Sequence, residues 1–188
     1  MKMKTEYWPT NTDAWLPART CVLLIVLLIG ARFSSLAEPE RHAGVGPDVV
    51  IVREGRALLP IVRRARDDIA GSVDRLQHKL ERISGAVLDI VDPEHEGPGL
   101  HVGVFGDFPG IDLEIPGEPG AERFVIHTTG DSLYILADTP LGVDRGVTTF
   151  LHKLGCRWFF PGDVWEVIPE LKTISGRWSE TSCPDFHI

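Results

Sequence analysis

Apolar positions recur along this chain with two different periods, and the change from one to the other marks out its elements. Val143, Val147, Phe150, Leu151 and Leu154 stand at i, i+4, i+7, i+8 and i+11, one face of a helix, while Asp144, Arg145, His152 and Lys153 fall mostly elsewhere. Thr139 is placed to cap that helix through its hydroxyl. Pro140 suits the first helical position, where its missing N–H has no intrahelical partner. Gly155 is a left-handed stop, and Cys156-Arg157-Trp158-Phe159 then alternates with period two before Pro161-Gly162 turns the chain away. A helix and strand joined so tightly are expected on one sheet. Gly146 inside the helix costs about 1 kcal/mol relative to Ala, which points to a close backbone approach there.

A second helix is expected from Asp67 or Asp68, either of which can cap it, to Ser84-Gly85, with Ile69, Val73, Leu76, Leu80 and Ile83 on one face. Its polar face, Asp74, Arg75, Lys79, Glu81 and Arg82, reads as solvated surface. Period-two or continuous apolar runs predict strands at 49–52, 57–62, 87–91, 100–105, 164–168 and 171–174, with Pro60 suggesting an edge strand or a bulge. Residues 124–128 and 133–137 flank Gly130-Asp131, a compact hairpin signal that feeds directly into Thr139. The fold class is therefore α+β: a mixed sheet of about five to seven strands with two main helices on one face. Alternating elements also fit an open α/β sheet, but the hairpin requires antiparallel pairing.

Composition adds an address and removes some partners. The 188 residues carry 27 Asp plus Glu against 19 Lys plus Arg, an acidic balance that argues against nucleic acid or anionic lipid. Lys2, Lys4 and Arg19 precede the apolar run 21–29, and Ser35-Leu36-Ala37 offers the small residues of a cleavage site, so residues 1–37 read as a secretory signal. The run is about half the 20 residues a membrane span needs. Export to the periplasm or beyond is expected, with no membrane contact after cleavage. Losing Lys2, Lys4, Arg19, Arg32, Glu6 and Asp13 would leave 15 basic and 25 acidic residues, a net charge of 15 − 25 = −10. Residues 38–47 read as a disordered lead-in. Of the two remaining cysteines, Cys156 lies among aromatics as a small apolar residue would, and no disulfide with Cys183 is expected.

The run Gly142 to Gly146, then Phe150-Leu151, then Leu154-Gly155-Cys156-Arg157-Trp158-Phe159 with Pro161-Gly162, resembles the signature that ends the small N-terminal domain of certain carbohydrate-active enzymes. The α-glucuronidases of glycoside hydrolase family 67 are the nearest, and family 20 β-hexosaminidases are more distant. The Ile83-Ser84-Gly85-Ala86 helix close and Cys183-Pro184-Asp185-Phe186 are similar to the same enzymes, and weaker similarity runs from Val49 onward. The resemblance implies a hexosaminidase domain-2-like α+β domain at 48–178, then at 179–188 the start of a connection to a catalytic (β/α)8 barrel. A barrel takes about 250 residues, and two follow Phe186. The expected role is thus a non-catalytic accessory domain in polysaccharide breakdown, whose partner is that barrel, on the same or a separate chain. A stand-alone carbohydrate-binding module is the alternative, and an independent enzyme is the least supported reading.

The chemistry-bearing residues are few. Glu94-His95-Glu96 has metal-capable side chains, but no HExxH or CxxC accompanies them and neighbours in sequence diverge, so an exposed acidic loop is the simpler reading. Gly103-Val104-Phe105-Gly106 follows a strand without a GxGxxG or GxxxxGK[ST] pattern, which speaks against phosphate binding. His101, His127 and His152 have no assignable carboxylate partner. Arg157, Trp158, Trp165 and Trp178 are the candidates for contact with carbohydrate or with a following barrel, since indole rings cover either kind of apolar surface. No catalytic residue, metal or cofactor is expected.

Overall fold

The computed structural model of the chain describes residues 47–109, 111, 113, 119–120, 122–159 and 165–182. The signal, the lead-in as far as Gly46 and the Cys183–Phe186 motif lie outside the described residues. No described helix is long and apolar enough to cross a membrane.

Strand β1 (Val49–Arg53) turns through Glu54-Gly55 into β2 (Arg56–Ala57). Both turn residues have positive φ, +51° and +75°, as a two-residue hairpin of type I′ requires. The apolar run at 57–62 then divides between two sheets. Leu58 and Leu59 donate their amides to the Ile51 carbonyl, and β3 (Ile61–Val62) enters a different sheet. Pro60 marks neither an edge strand nor a bulge. It stands just before an inner strand, where its carbonyl accepts from Leu100 and its lack of an N–H costs nothing.

Helix α1 (Asp67–Ser84) is capped by Arg66, which makes no side-chain cap bond, so neither aspartate caps it. Asp67 and Asp68 lie in the first turn, where negative charge complements the helix dipole. Asp68 is also gripped by Arg66 at 2.6 and 2.8 Å. Gly85, at φ +80°, ends the helix with its N–H on the Glu81 carbonyl, as the Ser-Gly close predicts.

Beyond it come β4 (Ile90–Val91), β5 (Leu100–Val104) and a single 3-10 turn, Phe105–Asp107. The hairpin β6 (Phe124–Thr129) and β7 (Ser132–Ala137) follows, with Gly130 at φ +57°. Helix α2 (Pro140–Lys153) starts as the sequence requires, with Thr139 Oγ1 accepting from Gly142 N at 3.2 Å. The short strands β8 (Arg157–Trp158), β9 (Glu166–Val167), β10 (Ile174–Gly176) and β11 (Ser179–Ser182) complete the described chain.

Among the described residues the main sheet has six strands, ordered β11-β6-β7-β5-β3-β4. It is mixed. Strands β7, β5, β3 and β4 run parallel, β6 is antiparallel to β7, and β11 in turn is antiparallel to β6. Ile61, Leu100, Val102, Ile126, Leu133 and Ile135 face the two helices in one core, and Val62, Val125, Leu136 and Phe108 form a smaller cluster on the other face. The α+β expectation, two helices on one face of a mixed sheet, holds. A second sheet, β10-β1-β2, and the ribbon β8-β9 stand apart. Helix α2 rests on β5, β6 and β7, so the strand that follows it so closely does not share its sheet. The tight Gly155 turn, at φ +104°, carries the chain off the sheet into the ribbon.

Three other expectations shift. The strand expected over 171–174 forms at Ile174–Gly176, because Leu171 N instead bonds the Ile83 carbonyl at the end of α1. The sheet takes in Ser179–Ser182, four residues beyond the boundary drawn at 178, by pairing them with Phe124–His127. The polar face of α1 is not simply solvated. Arg75 binds Asp144 of α2 at 2.7 Å, Ser72 donates to the same carboxylate at 2.8 Å, and Lys79 and Arg82 converge on Glu166.

Gly146 is where α2 comes down on the sheet. A Cβ there would lie 2.9 Å from Ile135 Cγ2 and 3.4 Å from the Phe124 ring, both in the core. Gly146→Ala gains about 1 kcal/mol of helix propensity but overpacks the contact, which costs about 1–3 kcal/mol. A net loss of about 1 kcal/mol is expected in urea unfolding; a more stable variant would show that the helix lifts freely from the sheet.

Candidate functional site

The four residues singled out by sequence do not form one site. Trp158 and Glu166 face each other across the ribbon, and the indole N–H donates to Glu166 Oε1 at 2.5 Å. That carboxylate, its side chain 2% exposed, also accepts from Lys79 and, at 2.7 Å, from Arg82. Burial acts to raise its pKa, but Lys79, Trp158 and Arg82 outweigh burial and hold it below the usual carboxylate range. The inner side of the ribbon is thus a clasp onto α1. Strand alternation turns Phe159, Trp165 and Val167 to the other side, where they are 64%, 53% and 52% exposed. Phe159 N bonds the Trp165 carbonyl at 3.2 Å, so these two aromatics sit opposite one another.

Arg157 is exposed, and its guanidinium donates to the carbonyls of His152 and Cys156 at 2.6 and 2.7 Å. It thereby satisfies the end of α2, where a cation is favoured by the helix dipole. Burial, and then the Arg157 charge, lower the pKa of His152, whose ring lies 5.0 Å from that of Trp158. Trp178 belongs to the core, 8% exposed and edge-on to Phe150 at 5.4 Å. Its faces are not offered to a sugar. Cys156 is fully buried, and burial, followed by the Glu166 charge, pushes its thiol up to about 11; it packs as a small apolar residue.

A concave site exists elsewhere, on the sheet face opposite the helices. A groove of about 340 Å3 is lined by Arg64, Pro93, Glu94, His101, Asp107 and Phe108, with Pro109 and Ile111 at one side. Arg64 follows β3, Pro93 and Glu94 follow β4, and Asp107 and Phe108 follow β5. The groove therefore opens at the carboxyl ends of three parallel strands, with β4 and β5 on opposite sides of β3. In open parallel sheets this is where ligands bind.

Its geometry is fixed by Asp107, 4% exposed. The Asp107 carboxylate accepts from Val104 N at 3.1 Å and from Arg66 Nη1 at 3.2 and 3.4 Å, with Arg64 Nε 3.6 Å away. Gly103 makes this possible, since a Cβ there would stand 2.8 Å from Asp107 Oδ2 and 3.0 Å from the Phe108 ring. His101 stacks on Tyr134 at 4.4 Å and meets Phe108 edge-on at 5.4 Å. Its Nδ1 is buried and has no hydrogen-bond partner among the described residues.

Burial, with a smaller push from His95, lowers the His101 pKa to about 4. An unfolded histidine titrates near 6.5, so between about pH 6.5 and 4 the unfolded chain binds a proton that the folded chain does not. Stability from this group is complete above pH 6.5 and declines as pH falls toward 4. His101→Phe is expected to flatten the stability profile in that window, as read by urea unfolding at a series of pH values.

No group of three or more His, Cys, Asp or Glu among the described residues is placed to hold a metal ion. Glu94, His95 and Glu96 are exposed on the β4–β5 connection. Sequence singled out neither His101 with Asp107 nor Glu166 as the centre of a site. Gly103, which must lack a Cβ for Asp107 to turn in, is the sequence signal for the first.

No protein-family model matches the chain, and no curated protein sequence matches it. Solved structures do. A family GH115 4-O-methyl-α-glucuronidase with specificity for decorated arabinogalactans aligns with 72% of this chain and 18% of its own, at 20% identity and a TM-score of 0.53. The fold is one found within a glycoside hydrolase. The GH20 β-N-acetylhexosaminidase from Streptomyces coelicolor A3(2) aligns at 20% identity and a TM-score of 0.42, over 74% of this chain and 25% of that one. A GH20 exo-β-N-acetylglucosaminidase from Vibrio harveyi aligns at 14% and 0.45, over 80% and 19%. The glucuronidase is of family 115, where the sequence resembles family 67. This chain spans about a fifth to a quarter of each neighbour's length.

Proposed function

We propose that the chain is an exported, non-catalytic accessory domain of a glycoside hydrolase resembling the α-glucuronidases, which acts in polysaccharide breakdown by supporting a catalytic barrel. The observation that carries this reading is the domain-scale likeness to the glucuronidase, 72% of this chain against 18% of that one. A glycosidase needs two carboxyl groups facing each other across the sugar. Among the described residues, the least exposed carboxylates, Asp107, Asp138 and Glu166, are each engaged by arginine or lysine, which suits a scaffold. The outer face of the ribbon, Phe159, Trp165 and Val167, is the surface assigned to the barrel, because exposed aromatics grouped on one strand face are typical of an interface.

The second reading, a free-standing carbohydrate-binding module, draws on the same pair, since Phe159 and Trp165 side by side offer ring faces to a sugar. Hydrolysis and calorimetric binding of glucuronoxylan oligosaccharides, xylan and chitin fragments by the purified chain, beside its Phe159→Ser/Trp165→Ser variant, separate the readings. The accessory domain is expected to show no hydrolysis and no sugar binding that depends on Trp165, with self-association relieved by the double variant. Binding abolished by that variant makes the chain a module, and turnover overturns both. Export is read by N-terminal sequencing of the secreted chain, expected to begin near Glu38.

A further inference from the structure

We propose that the ribbon β8-β9 is a strap that opens as a unit while the two helices and the main sheet stay folded, and that its opening uncovers the Cys156 thiol. This goes beyond the accessory role and does not depend on it. Among the described residues the two strands of the ribbon pair only with each other, two residues against two. A two-stranded ribbon is marginal in water without something to pack on, so its place depends on its side chains. Trp158 and Ile168 are half-buried against the main core, and Glu166 takes Lys79 and Arg82 of α1. Arg157 reaches the His152 carbonyl from an exposed position, a bond that water can replace. The buried carboxylate is the tie whose loss costs most.

The chain is fixed just outside the strap at both ends. Cys156 N bonds the Leu151 carbonyl at 3.0 Å, which holds Cys156 to α2, and Leu171 N bonds the Ile83 carbonyl at 2.8 Å, which holds the far end to α1. The ribbon lies between these two points and can leave without disturbing either. Cys156 lies beneath it. The residue is fully buried, and the charges that act on its thiol are those of Glu166, Lys79, Arg157 and Arg82, which are the clasp itself and the first residue of β8. Pro169, just past β9, lies against Gly155, where a Cβ would stand 3.4 Å from its Cγ, so the same segment covers this corner. The closed strap keeps the thiol inert, as burial does for a structural cysteine. The open strap leaves it anchored to α2 and in water. Such an opening exposes less surface than global unfolding and lies below it in free energy.

The test is alkylation of the purified chain with iodoacetamide near neutral pH, in urea concentrations below the unfolding midpoint, with peptide mapping to separate Cys156 from Cys21 and Cys183. Where opening and closing are fast, the labelling rate reports the open fraction. Its logarithm rises with urea in proportion to the surface that the opening exposes. For Cys156 that slope is expected to be less than about half the slope of global unfolding measured on the same chain. Glu166→Gln is expected to speed the labelling of Cys156 in the absence of urea by about 30-fold, as loosening a buried ion pair requires. Arg82→Gln, at an exposed position, is expected to speed it about threefold and covers the case in which the first variant does not fold. Labelling of Cys156 with the full slope of global unfolding would mean that the thiol is reached only when the whole fold is lost, and would overturn the proposal. A rate unchanged in both variants, or a parent labelled as fast as the unfolded chain, would overturn it as well.

Discussion

Trp178→Ala is expected to destabilise the protein by about 3–5 kcal/mol, the cost of removing a large aromatic from a packed core, whereas Trp165→Ala is expected to cost less than about 1 kcal/mol. Both residues are sequence candidates for sugar or barrel contact, and the two rings have different physical surroundings. Trp178 is 8% exposed, edge-on to the fully buried Phe150, and folded over Gly176, where a Cβ would come within 3.0 Å of the indole. Its backbone is held as well, with its N–H on Thr128 Oγ1 at 3.0 Å and its carbonyl accepting from Thr128 N at 2.9 Å. The residue thus ties the link between β10 and β11 to β6 of the main sheet. Urea unfolding of both variants checks this, with the shift in midpoint at constant slope as the measure. Equal and small losses would mean that Trp178 is not the core residue described here.

Replacing Glu166 has the second large effect. Its side chain, 2% exposed, compensates Lys79, 12% exposed, and Arg82, 41% exposed. Removing one member of a buried ion pair costs about 3–5 kcal/mol, because the remaining charge is stranded. Arg82 can turn to water and Lys79 only in part, so Glu166→Ala is expected near the lower end, about 3 kcal/mol. Glu166→Gln keeps an acceptor for the Trp158 indole and is expected to lose less. The pH dependence follows from the lowered pKa of the carboxyl. Its stabilisation is fully present above the unfolded carboxylate range, about pH 4.3, and is lost as pH falls through the lower folded value. In Glu166→Gln that part of the acid transition is expected to disappear. A variant that keeps the parental acid profile would show that the clasp adds nothing to folding.

The two effects also mark how far the sequence could be read. Helix α2 was legible to the residue at its start, because Thr139-Pro140 and a run of one-faced apolar residues are local signals whose energies act within one turn. The Gly130-Asp131 hairpin was legible for the same reason. The Gly146 approach could be inferred from the cost of a mid-helix glycine, and Ile135 supplies the cause. The α1 cap was misplaced by one or two residues because two adjacent aspartates carry the same signal. Strand β11, Ser-Glu-Thr-Ser, carried no apolar pattern at all and became a strand only because β6 offered it an open edge.

By itself, then, the sequence determined the helices, the hairpin, the α+β class and a resemblance that the glucuronidase fold bears out, since each depends on contacts within a few residues or on a pattern repeated along one element. The tertiary structure alone decided which tryptophan is core and which is surface, that Lys79 and Arg82 meet a carboxylate 87 and 84 residues away, and that Arg64, Glu94, His101 and Asp107 line one groove. Those pairings are set by the order of strands in the sheet and by burial, which hydropathy along the chain does not encode: the same charged side chain is solvated or clasped according to what a distant segment brings against it.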